Sequence, residues 1–237
     1  MSRIKISSTL GIAADEILAR KHNLWVGVSD SKWFHAEGNL EELILFSLEY
    51  TKDELLVWIP GRLYATNYLH LDRLSRAQAI RGGYAVEERF FSRITRLLSK
   101  RTREERSRVR MAGYDDCLTP AFVRRRSLLY REFSEEGEFY KRVVEIADGF
   151  LVARQRTVSK YRAEASALYL LQELPSFLAP LGTIDSSAMY QATVYPGFGK
   201  IDELASDLKE GECFPELTER LRIENPSGIV NVELEDP

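Results

Sequence analysis

Cysteine and histidine are scarce in this 237-residue chain, which has two cysteines (Cys117, Cys213) and three histidines (His22, His35, His70). Two distant cysteines exclude a disulfide framework and a cysteine-based zinc site, and the histidines show no metal-ligand spacing, so no metal is expected. No histidine follows His70, which removes the hydrolase order Ser…Asp…His. Long apolar runs are missing too: nothing approaches the ~20 residues needed to span a bilayer. The N-terminus MSRIKISSTLGIAADEILARKH is interrupted by Asp15, Glu16, Arg20 and Lys21 and has no signal-peptide core. A cytoplasmic protein without membrane contact is the expectation. There is no P-loop, internal repeat, low-complexity tract or Gly/Ser linker, so residues 1–237 are read as one domain.

Hydrophobic residues make up 44% and charged residues 29%, a globular balance. The net charge of −3 hides an uneven distribution, which matters more than the sum. Residues 201–237 hold eleven acids and three bases, and the rest of the chain is therefore positive by about five charges. Much of that lies in residues 89–110, with nine bases and two acids. At about 100° per residue, Arg89, Arg93, Arg96, Lys100 and Arg103 fall on one helix face, with Phe91, Ile94 and Leu98 opposite. A cationic stripe nearly free of acids suits nucleic-acid phosphates; a merely solvated face is the alternative, and Arg124–Arg126 is the next basic candidate.

LWVGV at Leu24–Val28 and LLVWI at Leu55–Ile59 read as buried strands, closed by Ser29-Asp30 and Pro60-Gly61. Further strands are expected at Val109–Ala112 and Ala188–Tyr195, with a late edge strand at Ile229–Leu234. Helical patterns cover Glu41–Glu49, Arg76–Lys100, Pro120–Arg131, Glu135–Arg154 and Lys160–Leu174, the last stopped by Pro175. Alternation of strands and helices predicts an α/β fold: a mostly parallel sheet flanked by helices, with ligands beyond the strands' carboxyl ends, where Ser29 and Pro60 fall.

Ser29 follows Gly27 at such an end, and the glycine lets a substrate approach closely. The serine is either a nucleophile or the cap of a following helix, the commoner role for an isolated serine. It is not a hydrolase elbow, which needs glycine where Ser31 stands. Tyr169 and Glu173, four residues apart, share a helix face and could hold an ammonium group or form an ordinary surface pair. Tyr195-Pro196 ends a strand, as a site residue or as core packing.

In combination and order, LWVGVSDSKWF, YLLQELPSF and VYP resemble the cyclodipeptide synthase family. Its first motif, an apolar run, glycine, an aliphatic residue and serine, is matched by Val26-Gly27-Val28-Ser29. Its second, a tyrosine four residues before Glu-Leu-Pro, is matched by Tyr169 with Glu173-Leu174-Pro175. The resemblance covers roughly residues 22–200 and includes the long Arg-rich helix. It implies a Rossmann-like fold similar to the catalytic domain of the class I tyrosyl- and tryptophanyl-tRNA synthetases. Their ATP signatures are missing, Thr157-Val158-Ser159-Lys160 being a faint echo. Neither ATP nor any cofactor is implied, because an aminoacyl ester is already activated. Lys32 and Pro196 stand where one subfamily has Asn and His, which points to the other, Tyr-Pro, subfamily.

The resemblance implies ping-pong chemistry on two aminoacyl-tRNAs, by a protein expected to be monomeric. Ser29 carries the first aminoacyl group, and Tyr169 and Glu173 hold its amine. A second aminoacyl-tRNA yields a dipeptidyl-enzyme, whose free amine closes a 2,5-diketopiperazine with Tyr195 as proton relay. With no histidine in the motifs, a ribose hydroxyl of the tRNA is the conjectured activator of Ser29. Gly27, Lys32 and Pro196 are expected to contact substrate and the basic stripe to dock tRNA. Trp25, on the face of Ser29 by strand alternation, and Val57 are expected to wall the side-chain pocket and favour a small residue such as alanine. Packing of Trp25 against a covering helix is its alternative role. A non-catalytic RNA-binding module and a serine esterase are the competing readings.

Overall fold

The computed structural model describes residues 4–36, 38–154, 156–197, 199–211 and 213–234. Its strands are β1 (Ile4–Leu10), β2 (Leu24–Gly27), β3 (Leu55–Ile59), β4 (Val109–Gly113), β5 (Leu181–Gly182), β6 (Met189–Tyr190), β7 (Ala192–Pro196) and β8 (Gly228–Leu234). Six of them form the main sheet in the order β1-β8-β7-β2-β3-β4, and β5 and β6 form a small hairpin. Neighbours in the main sheet are parallel apart from β1, which runs antiparallel to β8. The chain steps outward from β2 to β3 to β4, then returns to lay β7 on the other side of β2. Strand order therefore reverses between β2 and β7, and a crevice opens at the carboxyl ends of such a pair.

Alternation along the strands sends side chains into two separate cores. Val26, Val57, Ile59, Val194 and Val230 are buried beneath the helices Asn39–Tyr50 and Arg76–Leu98, against Leu43, Ile44, Phe90 and Ile94. Trp25, Leu56, Trp58, Ala112 and Ile229 point to the opposite face. The helices Pro120–Ser134, Glu138–Ala153, Lys160–Glu173 and Lys200–Glu210 cover them with Leu129, Val143, Ala167 and Leu208. Each such buried side chain is worth ~1.5–3 kcal/mol. Both faces of the sheet are covered, which is why its strands read as continuous apolar runs.

Local signals set the helix starts. Ser75 caps Arg76–Leu98 and exchanges bonds with Gln78, while Thr119 caps Pro120–Ser134 with proline at the first turn. Gly82-Gly83, a weak point for a helix, is a packing notch: a Cβ on Gly83 would lie 2.8 Å from the Gly61 carbonyl oxygen.

Three expectations require correction. The Ile229–Leu234 segment is an interior strand, because β1, unrecognised in the sequence, pairs outside it. Ala188–Tyr195 is two strands in different sheets, parted at Gln191. The helix begun at Lys160 does stop before Pro175, at Glu173, and Pro175 then opens a separate short helix, Pro175–Leu178, since a first-turn proline needs no N–H partner. The helix bearing the basic stripe stops at Leu98, and Arg103 opens a separate helix, Arg103–Ser107, capped by Thr102.

Candidate active site

Ser29 stands two residues beyond β2, and Tyr195 near the end of neighbouring β7, so the two flank the switch point. The Tyr195 hydroxyl donates to Ser29 Oγ over 3.1 Å. Ser29 is not a helix cap: the cap position of the short helix Lys32–His35 is Ser31. A Cβ on Gly27 would lie 3.1 Å from the Trp25 ring, a tight contact, and 4.0 Å from the Tyr195 ring, an ordinary one, so it is Trp25 that a larger residue would crowd.

Both residues line a cavity of about 310 Å³, whose walls also include Tyr64, Tyr169, Glu173 and Pro196. The helix Lys160–Glu173 contributes Tyr169 and Glu173 from one face, as their spacing requires. Tyr64, from the helix Tyr64–His70, packs against Tyr169 with ring centroids 5.7 Å apart. Its hydroxyl accepts the Asp30 backbone N–H at 2.7 Å, which holds the turn next to Ser29.

Electrostatics divides the roles. Burial, with the Glu173 charge adding to it and the Ser29 hydrogen bond opposing it, pushes the Tyr195 phenol up to about 12. A phenol protonated over the whole neutral range donates to Ser29; it is not the resting base that ionises it. Burial first, then the charge of Glu173, holds Tyr169 well above its ordinary value. Glu173 is pushed up to about 7, chiefly by burial and further by Asp202, with Arg154 partly offsetting. Asp202, on the same cavity wall, is raised to about 6 by burial, against the Gly199 N–H that donates to it at 2.8 Å. The cavity thus combines a serine, protonated phenols and a carboxylate poised near neutrality.

Other expected site residues lie elsewhere. Val57 pairs with Val26 and is buried in the core under the opposite face of the sheet, so strand alternation turns it away from the cavity. Trp25 is buried on the correct face but beneath the cavity, edge-on to Trp58 at 5.6 Å and 5.7 Å from Phe177, which does line it. Lys32 is exposed at the start of its short helix, outside the cavity wall.

The basic stripe is broken as well as bent. Arg93 is held by Glu41 at 2.7 Å and by the carbonyls of Phe34 and Ala36. Arg89 pairs with Asp30 at 2.7 Å, and His35 Nε2 lies 2.6 Å from the same carboxylate oxygen. Arg89 therefore braces the residue after Ser29. Arg96 and Lys100 border a separate recess with Arg93 and remain exposed. Tyr64, Asp30, Arg154 and Asp202 were not anticipated. They reach the site from separate elements, and no local spacing marks them.

Among the described residues no group of three His, Cys, Asp or Glu side chains is placed to hold a metal ion, and no helix is long and apolar enough to cross a membrane. No protein-family model and no curated protein matches the sequence. Solved structures do match the fold. A cyclodipeptide synthase from Bacillus thermoamylovorans is 17% identical with a TM-score of 0.70, over 97% of this chain and 96% of that one. A Mycobacterium tuberculosis protein, whose structure relates cyclodipeptide synthetases to type I tRNA synthetases, is 16% identical with a TM-score of 0.69, over 95% and 92%. A Candidatus Glomeribacter gigasporarum cyclodipeptide synthase bound to Phe-tRNAPhe is 14% identical with a TM-score of 0.54, over 91% and 88%. The chain shares their α/β fold along nearly its whole length.

Proposed function

We propose that this fold and cavity make a tRNA-dependent cyclodipeptide synthase of the Tyr-Pro type, joining two aminoacyl groups through a covalent intermediate on Ser29. The observation that carries the reading is the 3.1 Å bond between Tyr195 and Ser29 at the switch point, in a cavity shared with Tyr169 and Glu173. Three sequence motifs far apart in the chain supply one enclosed space.

In the first step Ser29 Oγ attacks the ester carbonyl of an aminoacyl-tRNA. The bond to the ribose oxygen breaks, and the ribose hydroxyl leaves with a proton. Tyr195 donates to Oγ, so the serine's own proton is free to point toward the substrate, where a ribose hydroxyl receives it. Tyr169 and Glu173 hold the α-ammonium. A carboxylate near 7 is closely matched to an α-amino group of ~8, so Glu173 can both pair with the ammonium and take its proton. The freed amine attacks the ester of the second aminoacyl-tRNA, giving a dipeptidyl ester on Ser29 and releasing tRNA. The new terminal amine then attacks the seryl ester. The ring closes as the seryl C–O bond breaks; Tyr195 passes its proton to the Ser29 oxygen and takes one from the attacking amine, so it ends the step protonated. Ester exchange and aminolysis consume no nucleotide, consistent with a chain that carries no ATP signature.

Wild-type protein incubated with radiolabelled aminoacyl-tRNA should become labelled, and Ser29→Ala should not. Medium from expressing cells should contain a diketopiperazine by mass spectrometry. Equal labelling of both proteins would remove Ser29 from the mechanism. Turnover of a simple acyl ester without tRNA would favour an esterase.

A further inference from the structure

A second and larger cavity, about 750 Å³, lies on the other side of the Pro175–Leu178 turn from Ser29. Pro175 and Ala179 face it, whereas Phe177 of the same turn faces the Ser29 cavity. Three arginines, Arg124, Arg125 and Arg222, stand on its wall with a single acid, Glu224. Among the described residues none of the three arginines is in a salt bridge with a carboxylate; Arg124 is bonded to the Leu221 carbonyl at 3.2 Å. The Nε of Arg125 is buried with no hydrogen-bond partner.

Arg125 is half-buried, its Nε has no partner and no counter-charge stands beside it, and burial, with the adjacent Arg124 charge, pulls its pKa below the ordinary range. An anion in the cavity would supply the counter-charge that Arg125 lacks. Three guanidinium groups against a single acid, Glu224, match the oxygens of a phosphate better than a lone carboxylate would. The cavity is far larger than an inorganic ion, and Phe122, Pro180 and Met189 give it apolar walls beside the arginines. Cavities of ~300–1,000 Å³ with apolar walls and a few polar groups accommodate an organic ligand.

We infer that this cavity is a second binding site, distinct from the Ser29 cavity, for a phosphoryl group attached to an organic body such as a nucleotide. The phosphate sits on Arg124, Arg125 and Arg222 and the attached body lies against Phe122 and Met189. The same chemistry has two sources, a free nucleotide or a phosphate of a bound RNA.

The test measures binding directly, by calorimetry and thermal shift, so it does not depend on turnover at Ser29. The probes are inorganic phosphate, AMP and deacylated tRNA, against wild type, Arg125→Met and Arg222→Ala. AMP should bind wild type more tightly than phosphate does, and each variant should bind AMP at least tenfold more weakly. Without probe, Arg125→Met should melt at or above the wild-type temperature, since it removes a half-buried charge whose Nε is unpartnered and keeps an apolar stem. A parallel loss of tRNA affinity in both variants identifies RNA as the source; unchanged tRNA affinity identifies a free nucleotide. AMP affinity equal in all three proteins, or no binding of any probe to wild type, overturns the inference.

Discussion

Replacing Glu173 by glutamine should stabilise the protein above neutral pH while disabling the amine site. Glu173 ends the helix Lys160–Glu173 with its carboxyl on the Ser29 cavity, where burial and the Asp202 charge raise it from 4.5 to about 7. At about 1.4 kcal/mol per pH unit, that interval amounts to roughly 3 kcal/mol against the ionised form. Glu173 keeps partial exposure, which screens the penalty to ~1–2 kcal/mol. The unfolded chain releases this proton near the ordinary value and the folded chain near 7. The folded state therefore binds more protons in between, and stability falls as pH rises through that window. Glutamine has no such titration. Melting temperatures of wild type and Glu173→Gln should coincide near pH 4.5 and separate by ~3–6 °C at pH 8, with the variant higher. Asp202 titrates in both proteins, and because its charge repels that of Glu173 the variant also loses this repulsion, which widens the difference in the same direction. Loss of one charged hydrogen bond to the substrate ammonium, ~1.5–3 kcal/mol, should weaken aminoacyl-tRNA use by roughly 10- to 150-fold. Parallel melting curves, or a variant less stable at pH 8, would refute the reasoning.

Tyr195→Phe removes the donor to Ser29 and the proton for ring closure, so labelling from aminoacyl-tRNA should survive while diketopiperazine output falls at least tenfold; full cyclisation removes the relay role. Trp25→Leu should cost ~2–3 kcal/mol in urea unfolding as a large-to-small core change. It should also let Phe177 recede and shift products toward a bulkier first residue; a folded variant with an unchanged product profile argues that Trp25 packs and does nothing more. Arg96→Ala with Lys100→Ala should flatten the salt dependence of tRNA binding by about one to two units of slope. Arg89→Ala should instead slow labelling of Ser29, because Arg89 braces Asp30; the opposite pattern would return Arg89 to the docking face.

The strands that carry the site were legible because their signal is local. LWVGV and LLVWI are apolar on both faces, and only a parallel sheet covered on both sides needs that. Tyr169 and Glu173 were placed on one face by helical spacing alone. The edge strand β1 escaped notice because IKISSTL buries only Ile4 and is short of apolar residues, its pairing with β8 being a contact across more than 200 residues.

Tertiary structure alone decided the rest. A strand's two faces are equivalent in sequence, so Trp25 and Val57 could be told apart only by the parallel register, which aligns Val57 with Val26 rather than with Trp25. Whether an arginine is free or spent depends on acids from other elements. Asp30 and Glu41 take up Arg89 and Arg93, while Arg124, Arg125 and Arg222 meet no such partner among the described residues. The poise of Glu173 near neutrality has the same origin, since it follows from burial beside Asp202, a residue 29 positions away that only the fold brings near.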